Sequence, residues 1–351
     1  MHGWPGGHAF VSGAWIQGSS VSSRFVGDAL VVSNIDGYDS VRLYEAWIEQ
    51  GFAGGKASVR AGVLGADDEF CCTDGGSMMT NSAFGWEAGI GANVVNGGPI
   101  YDAPGLGVRA QFAPEQGWTL RVGVFDGDSQ DSPSGDPAAD PHGLTFELNR
   151  SQGGFLIGEA VRDWSADAPG HRGDLKLGAW RHTADFPDEL RDAQGRPYAY
   201  SGQSPAIHHG NEGGYAVFEQ KLWNDPHDTA RGIGGWARVA AAPEDRSLFT
   251  WVSEGGLRWT GLLPGRPADA LGIAAVASFV SPRVRQQVID ANAADGGVRA
   301  LPDFERVVEA AYEANLGAHW VVTPDVQWVQ HPGLAAVTPD AWVAGLRVTR
   351  Q

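Results

Sequence analysis

Apolar residues fall at every second position through most of this chain, in segments of about 8 to 12 residues. Leu106, Val108, Ala110 and Phe112 alternate with Gly107, Arg109 and Gln111; Trp118, Leu120, Val122 and Val124 alternate with Thr119, Arg121 and Gly123. The same pattern runs through Ala57 to Leu64 and Leu271 to Phe279, and most clearly through Tyr312 to Val322, where Glu313, Asn315, Gly317 and His319 face away from Tyr312, Ala314, Leu316, Ala318 and Trp320. A period of two belongs to strands with two unlike faces and cannot place one apolar stripe on a helix. Fifty glycines in 351 residues point the same way, because glycine costs about 1 kcal/mol relative to alanine inside a helix. Further segments near 9–17, 25–34, 41–51, 83–91, 153–164, 173–183, 213–223, 230–241, 247–262, 325–331 and 341–349 bring the expectation to about sixteen strands.

These strands fill the chain with no composition shift between them, so residues 1–351 read as one domain. The connectors are polar and unequal, with Asp126 to Asp140 and Asp185 to Asn211 the long ones. Arg283 to Ala294 lacks Gly and Pro and has the length of a short loop helix. No run of about 18 apolar residues exists, since Leu271 to Val280 stops at Pro282 and Arg283, so a transmembrane helix is excluded. The start, Met1-His2-Gly3-Trp4-Pro5-Gly6, has neither a basic nor an apolar leader region, so any signal peptide is expected to have been removed from this chain.

Two architectures carry this many alternating strands, a soluble sandwich or propeller and a membrane barrel. A packed core favours large residues on the apolar face, whereas a barrel turns that face to lipid and sets aromatics at the interface levels. Here the apolar faces mix small and medium residues, with Trp118, Tyr312, Trp320 and Trp342 near strand ends, while the opposite faces carry Glu, Arg, Asn, His and Gly. The pattern therefore predicts an all-β fold, a transmembrane antiparallel β-barrel with long extracellular loops and outer-membrane lipid around it. A net charge of −17 excludes nonspecific binding to nucleic acid. The adjacent Cys71 and Cys72 supply no disulfide framework, and neither they nor His208-His209 bring the spaced partners of a metal site.

Specific strings then carry a family resemblance. Tyr44-Glu45-Ala46-Trp47-Ile48-Glu49-Gln50, Arg60-Ala61-Gly62 and Asp67-Asp68-Glu69-Phe70 resemble early strands of the carbohydrate-selective porin (OprB) family. Leu175 to Trp180 with His182 and Phe186, Gly213 to Gln220, Ala241 to Arg246, Gly261 to Pro267, and Tyr312 through Pro324-Asp325-Val326-Gln327 to His331-Pro332-Gly333 are similar to it in the same order. The resemblance spans roughly residues 40 to 349 and implies a sixteen-stranded bacterial outer-membrane barrel that passes sugars by facilitated diffusion. The chain departs from the family at Arg350-Gln351, where a terminal aromatic is usual, and at Cys71-Cys72-Thr73-Asp74-Gly75-Gly76, which falls where the family's early loop folds.

A sugar channel needs no catalyst and no cofactor; it needs a wet wall that replaces some of a solute's hydrogen bonds weakly enough to release it. Alternation places Glu45, Trp47, Glu49, Arg60, Arg109, Arg121, Trp180, Trp236, Arg238 and Glu313 on the lumen face, as candidate contacts for mono- or oligosaccharides. Arginine forks and carboxylates direct hydrogen bonds, and indole rings offer faces to a pyranose. The competing structural reading makes the charged residues an ion-pair ladder and the tryptophans wall packing. Asp67-Asp68-Glu69 reads either as a solvated loop or as an inward-folded loop that lends acids to the eyelet. Gly-x-Ser-x-Gly, His-Glu-x-x-His and P-loop strings are all missing, and Glu45 and Glu49 would stand about 13 Å apart along a strand, too far for a glycosidase pair. The alternatives are a general or non-sugar porin, or a secreted all-β carbohydrate-binding protein or glycosidase. The long loops offer contacts to other subunits or envelope proteins.

Overall fold

The computed structural model describes residues 4–132, 135–136, 139–165 and 172–350. The alternating segments form one antiparallel sheet in which every strand pairs with its neighbour in sequence. Its strands are β1 (Gly7–Ile16), β2 (Ser40–Phe52), β3 (Ala57–Leu64), β4 (Gly105–Phe112), β5 (Trp118–Asp126), β6 (Gly154–Asp163), β7 (Gly173–Asp192), β8 (Pro205–Asn224), β9 (Gly232–Ala241), β10 (Phe249–Thr260), β11 (Ala270–Val280), β12 (Phe304–Leu316), β13 (Trp320–Gln330) and β14 (Ala341–Arg350). Among the described residues there are fourteen strands, and no pairing joins β14 to β1. No helix among the described residues is long and apolar enough to cross a membrane.

Two of the sixteen expected strands are something else. Residues 25–34 follow a single helical turn at Ser22–Val26, and left-handed backbone at Gly27 and Val31 breaks any extended path. Residues 83–91 hold a turn at Ser82–Phe84 and the short helix α1 (Ala88–Asn93), whose first N–H groups, of Gly89 and Ile90, donate to the Glu87 carboxylate at 2.8 Å each. The long alternation from Tyr312 to Val322 is also not one strand: Gly317, at φ +73°, turns the chain so that Leu316 pairs with Trp320. Alternation cannot see a tight hairpin whose two arms keep the same parity. Most of the connector expected over Asp185 to Asn211 is strand, the far ends of β7 and β8, with only α2 (Tyr198–Ser201) in its turn.

The expected loop helix is present as α3 (Pro282–Asp295). Ser281 caps it by accepting from the Arg283 N–H at 3.1 Å, Pro282 occupies the first turn, and left-handed Gly296 ends it.

The two faces of the sheet differ as the pattern requires. Val108, Val122, Leu177, Leu257 and Ile273 are exposed on the outer face, a contiguous apolar surface that water does not favour. Phe155, Glu159, Trp180, Arg238, Glu254 and Glu309 are buried on the inner face. At one end of the sheet the connectors 53–56, 113–117, 164–172, 225–231, 261–269 and 317–319 are short, and at the other lie 17–39, 65–104, 127–153 and 281–303.

Candidate functional site

What buries the inner face is the chain itself. The connector 65–104 folds inward, and its Phe70, Met79, Phe84 and Ile90 are almost fully buried. Its backbone N–H groups need partners there, and carboxylates on the strands provide them. Cys71 donates to Glu159 on β6 at 2.9 Å, Asp74 and Gly75 to Glu219 on β8 at 3.0 Å, and Thr80 and Asn81 to Glu309 on β12 at 2.7 and 3.0 Å. Contacts from one loop to β6, β8 and β12 require the sheet to curl around it. The segment 17–39 is held likewise, with Ala29 and Leu30 donating to Glu305 at 3.0 and 2.8 Å. Each such charge-assisted bond contributes on the order of 1.5–3 kcal/mol. Approach is close at Gly75, where a Cβ would stand 2.4 Å from the Trp236 ring, and at Gly272 of β11, where a Cβ would stand 2.2 Å from Met79 Cε.

Between this loop and β2 to β5 the wall is partly open and strongly charged. Arg60 lies 2.8 Å from Glu49 and 2.7 Å from Glu69 of the inward loop, and Arg109 lies 3.4 Å from Glu49 and 2.5 Å from Glu69. Arg121 continues the row, donating to Gln111 at 2.9 Å, to the Glu69 carbonyl at 3.1 Å and to Glu159 at 3.2 Å. The cross-strand registry that sets Arg60 opposite both Glu49 and Arg109 puts the three guanidiniums side by side. Trp47 carries the Arg60 guanidinium 3.9 Å from its ring centroid and stacks on Phe10.

Of the ten candidate residues, Trp47, Glu49, Arg60, Arg109 and Arg121 thus come together, with Glu45 two residues before Trp47 on the same face of β2. The others stand apart. Arg238 is buried under the inward loop, donating to the carbonyls of Cys71, Ala83 and Gly85 and to Glu254. Trp180 packs beside Phe155, and Trp236 borders a cavity at the short-connector end together with Arg258, which pairs with Glu313 at 3.3 Å. Glu159, Glu219, Glu254, Glu305 and Gln327, which hold the inward segments, are not among the sequence candidates. Their positions on the period-two inner face were a signal; what they bond to was not, because main-chain donors leave no mark in side-chain pattern.

Asp67 sits in the inward loop beside Asp68 and accepts from the Tyr101 N–H at 3.1 Å. Burial first, then the Asp68 charge, raise its carboxyl to about 7. A carboxyl raised above its unfolded value binds a proton on folding, so its favourable contribution is present at low pH and is lost as pH rises from about 4 to about 7. Hydrogen-exchange protection of residues 65–104 is accordingly expected to fall over that window, and Asp67→Asn should flatten the profile; an unchanged profile would contradict the assignment.

Metal-ligating side chains gather at one place among the described residues. His208 Nε2 lies 2.9 Å from Asp188 and 3.9 Å from Asp245. Arg283 pairs with that Asp188 oxygen at 3.4 Å and Arg246 with Asp245 at 2.8 Å, so the charges are already matched and the group is an ion-pair junction between loops. Cys71 and Cys72 are free thiols; burial pushes Cys72 up to about 12 and Cys71 well above its ordinary value, which leaves both unreactive.

Two cavities flank the inward loop, about 620 Å³ at the short-connector end and about 520 Å³ at the long-connector end between segments 17–39 and 65–104. Neither cavity is lined by the arginine row, which lies in the wall between them. The chain is 22% identical over 318 residues to Porin B of Pseudomonas aeruginosa, covering 88% of this chain and 67% of that protein. It is 23% identical over 327 residues to the putative porin QuiX of Acinetobacter baylyi, covering 87% and 68%. It thus spans about two thirds of the length of these curated relatives. Its fold matches the high-pH structure of Pseudomonas putida OprB with a TM-score of 0.81 at 22% identity, over 92% of this chain and 76% of that one. The family model described as "Carbohydrate-selective porin, OprB family" matches residues 1–351, and the chain belongs to that family.

Proposed function

We propose that the sheet closes into an outer-membrane barrel, and that solutes pass between the inward loop and the β2–β5 wall, with the arginine row as the selective surface. The observation that carries this reading is the row Arg60, Arg109 and Arg121 beside Glu49 and Glu69, in which Arg60 and Arg121 are partly exposed while Arg109 is buried between them. A neutral sugar entering a narrow passage loses water from its hydroxyls. Guanidinium forks and carboxylates held in fixed positions replace those bonds with both donors and acceptors. Because the arginines are already paired with acids, the wall carries little net charge to trap an ion, which suits a neutral polyhydroxyl solute.

In this reading Trp47 holds the Arg60 fork in place, whereas the tightly packed Trp180 and the buried Arg238 shape the wall from behind. Trp236 and Glu313, with Arg258, would meet the solute at the short-connector mouth. Glu45 extends the acceptor row along β2.

Liposomes containing the protein test this directly. Glucose uptake should exceed that of a size-matched anionic solute, and Arg60→Gln should weaken sugar interaction about fivefold to tenfold, the effect of losing a hydrogen bond or so. Equal uptake of both solutes by wild type would favour a general porin, and an unaltered Arg60→Gln variant would remove the arginine row from the selective step.

A further inference from the structure

The connector 127–153 and the end of β5 bury an unusual concentration of acid. Asp126, Asp128 and Asp140 are at most 5% exposed, and Asp131 stands beside them. Asp128 is fully engaged, its carboxylate accepting from the Asn96 side chain at 2.8 Å and from the N–H groups of Gln130 and Ser132 at 3.1 and 3.0 Å. Asp131 accepts from Gln152 at 3.1 Å and from the Glu147 N–H at 3.2 Å. Asp140 differs: its Oδ1 accepts from the N–H groups of Leu144 and Thr145, but its Oδ2 is buried with no partner.

That carboxylate borders an enclosed cavity of about 10 Å³, room for one water-sized particle, whose wall also includes Asp126, Asp131, Ser129 and Thr145. Among the described residues no Lys or Arg lines it. Arg42, whose charge reaches Asp140, is bonded to the Tyr38 hydroxyl and does not line the cavity. Buried carboxylates that outnumber the bases near them are costly unless a cation joins them.

We propose that this cavity is a calcium site that clamps connector 127–153 to the end of β5 at the long-connector mouth. The donors are all hard oxygens, with neither His nor Cys among them, which selects calcium over zinc. Asp126, Asp131 and Asp140 supply the charge, and Ser129, main-chain carbonyls and water complete a shell of six to eight oxygens, as calcium requires. The three carboxylates do not all bring an oxygen within 4.8 Å of one another, so the ion draws them together. The contrast with Asp188, His208 and Asp245 is instructive: that group is closer in geometry but is neutralised by two arginines.

The test uses the full chain in detergent, stripped with chelator and titrated with calcium chloride by calorimetry, beside Asp140→Asn and Asp126→Asn. Wild type should bind one calcium per chain with a Kd of about 10⁻⁴ to 10⁻³ M, the range of extracellular modules. Each variant should weaken it by about tenfold or more, with heat-modifiable migration unchanged as the folding control. Thermal unfolding separates a ligand from a structural hydrogen bond. In chelator, Asp140→Asn should unfold at or above the wild-type temperature, since it relieves repulsion, and in calcium below it. Wild type that binds no calcium up to about 10 mM, tenfold above that range, would overturn the proposal, as would binding unaffected by both variants or an Asp140→Asn loss of equal size with and without calcium.

Discussion

Arg238→Leu is expected to destabilise the protein by about 3–5 kcal/mol, the cost of leaving a buried charge without its partner. Arg238 is 1% exposed and Glu254, its 2.8 Å partner, is equally enclosed, so the remaining carboxylate has no route to water. The substitution also strands the carbonyls of Cys71, Ala83 and Gly85, three points at which the inward loop is tied to β9. Two readouts should therefore move together: the urea midpoint of the reconstituted protein falls, and single-channel conductance rises as the loop loosens. Replacing both residues, Arg238→Leu with Glu254→Leu, should recover much of the stability but not the loop's position, because the carbonyls remain unpaired. A single variant that unfolds like wild type would mean that the pair is not sealed from water.

The second large effect lies on the opposite face. Val122, at the centre of β5 and 55% exposed, faces outward between Leu120 and Val124. In a lipid-facing position Val122→Arg should cost about 2–4 kcal/mol at mid-bilayer depth, whereas Val122→Leu should change little. Were that face in water, the arginine would instead be tolerated within a few tenths of a kcal/mol. Unfolding of both variants in lipid vesicles distinguishes the cases.

Much of the architecture was legible because it is written in parity. The outward Val108, Leu120 and Ile273 and the inward Arg60, Arg109 and Arg121 follow from alternation alone, and the antiparallel pairing of neighbours follows from short connectors. The same rule misread three places. At Tyr312–Val322 a hairpin turn preserved the parity, and at 25–34 and 83–91 apolar residues serve an inward plug rather than a strand. The buried Val26, Leu30 and Val32, and likewise Phe84, Trp86 and Ile90, fall at even spacings, so alternation alone cannot tell such a segment from a strand.

The site divides along the same line. Alternation puts Glu49, Arg60, Arg109 and Arg121 on one face; the register that sets Glu49 opposite Arg60, Arg60 opposite Arg109 and Arg121 opposite Gln111 is not written in that pattern. For Glu69 the sequence leaves a solvated loop and an inward-folded loop open, and its contacts at 2.7 and 2.5 Å with Arg60 and Arg109 place it in the row. The structural role of Glu159, Glu219, Glu305 and Glu309 was hidden for a physical reason: each carboxylate is satisfied by N–H groups of distant loops, which every residue type but proline carries. The acidic excess of the composition is thus partly explained. Some acids pair with the arginine row, and others anchor the loops that narrow the passage.

The most direct test of the account is current through the purified protein in a planar lipid bilayer while sugar is titrated into the bath. A discrete, stable conductance that neutral mono- or oligosaccharides reduce in a saturable way, with the reduction weakened in Arg60→Gln, is the predicted result. A conductance insensitive to sugar at every concentration, or no channel formation at all, would contradict it.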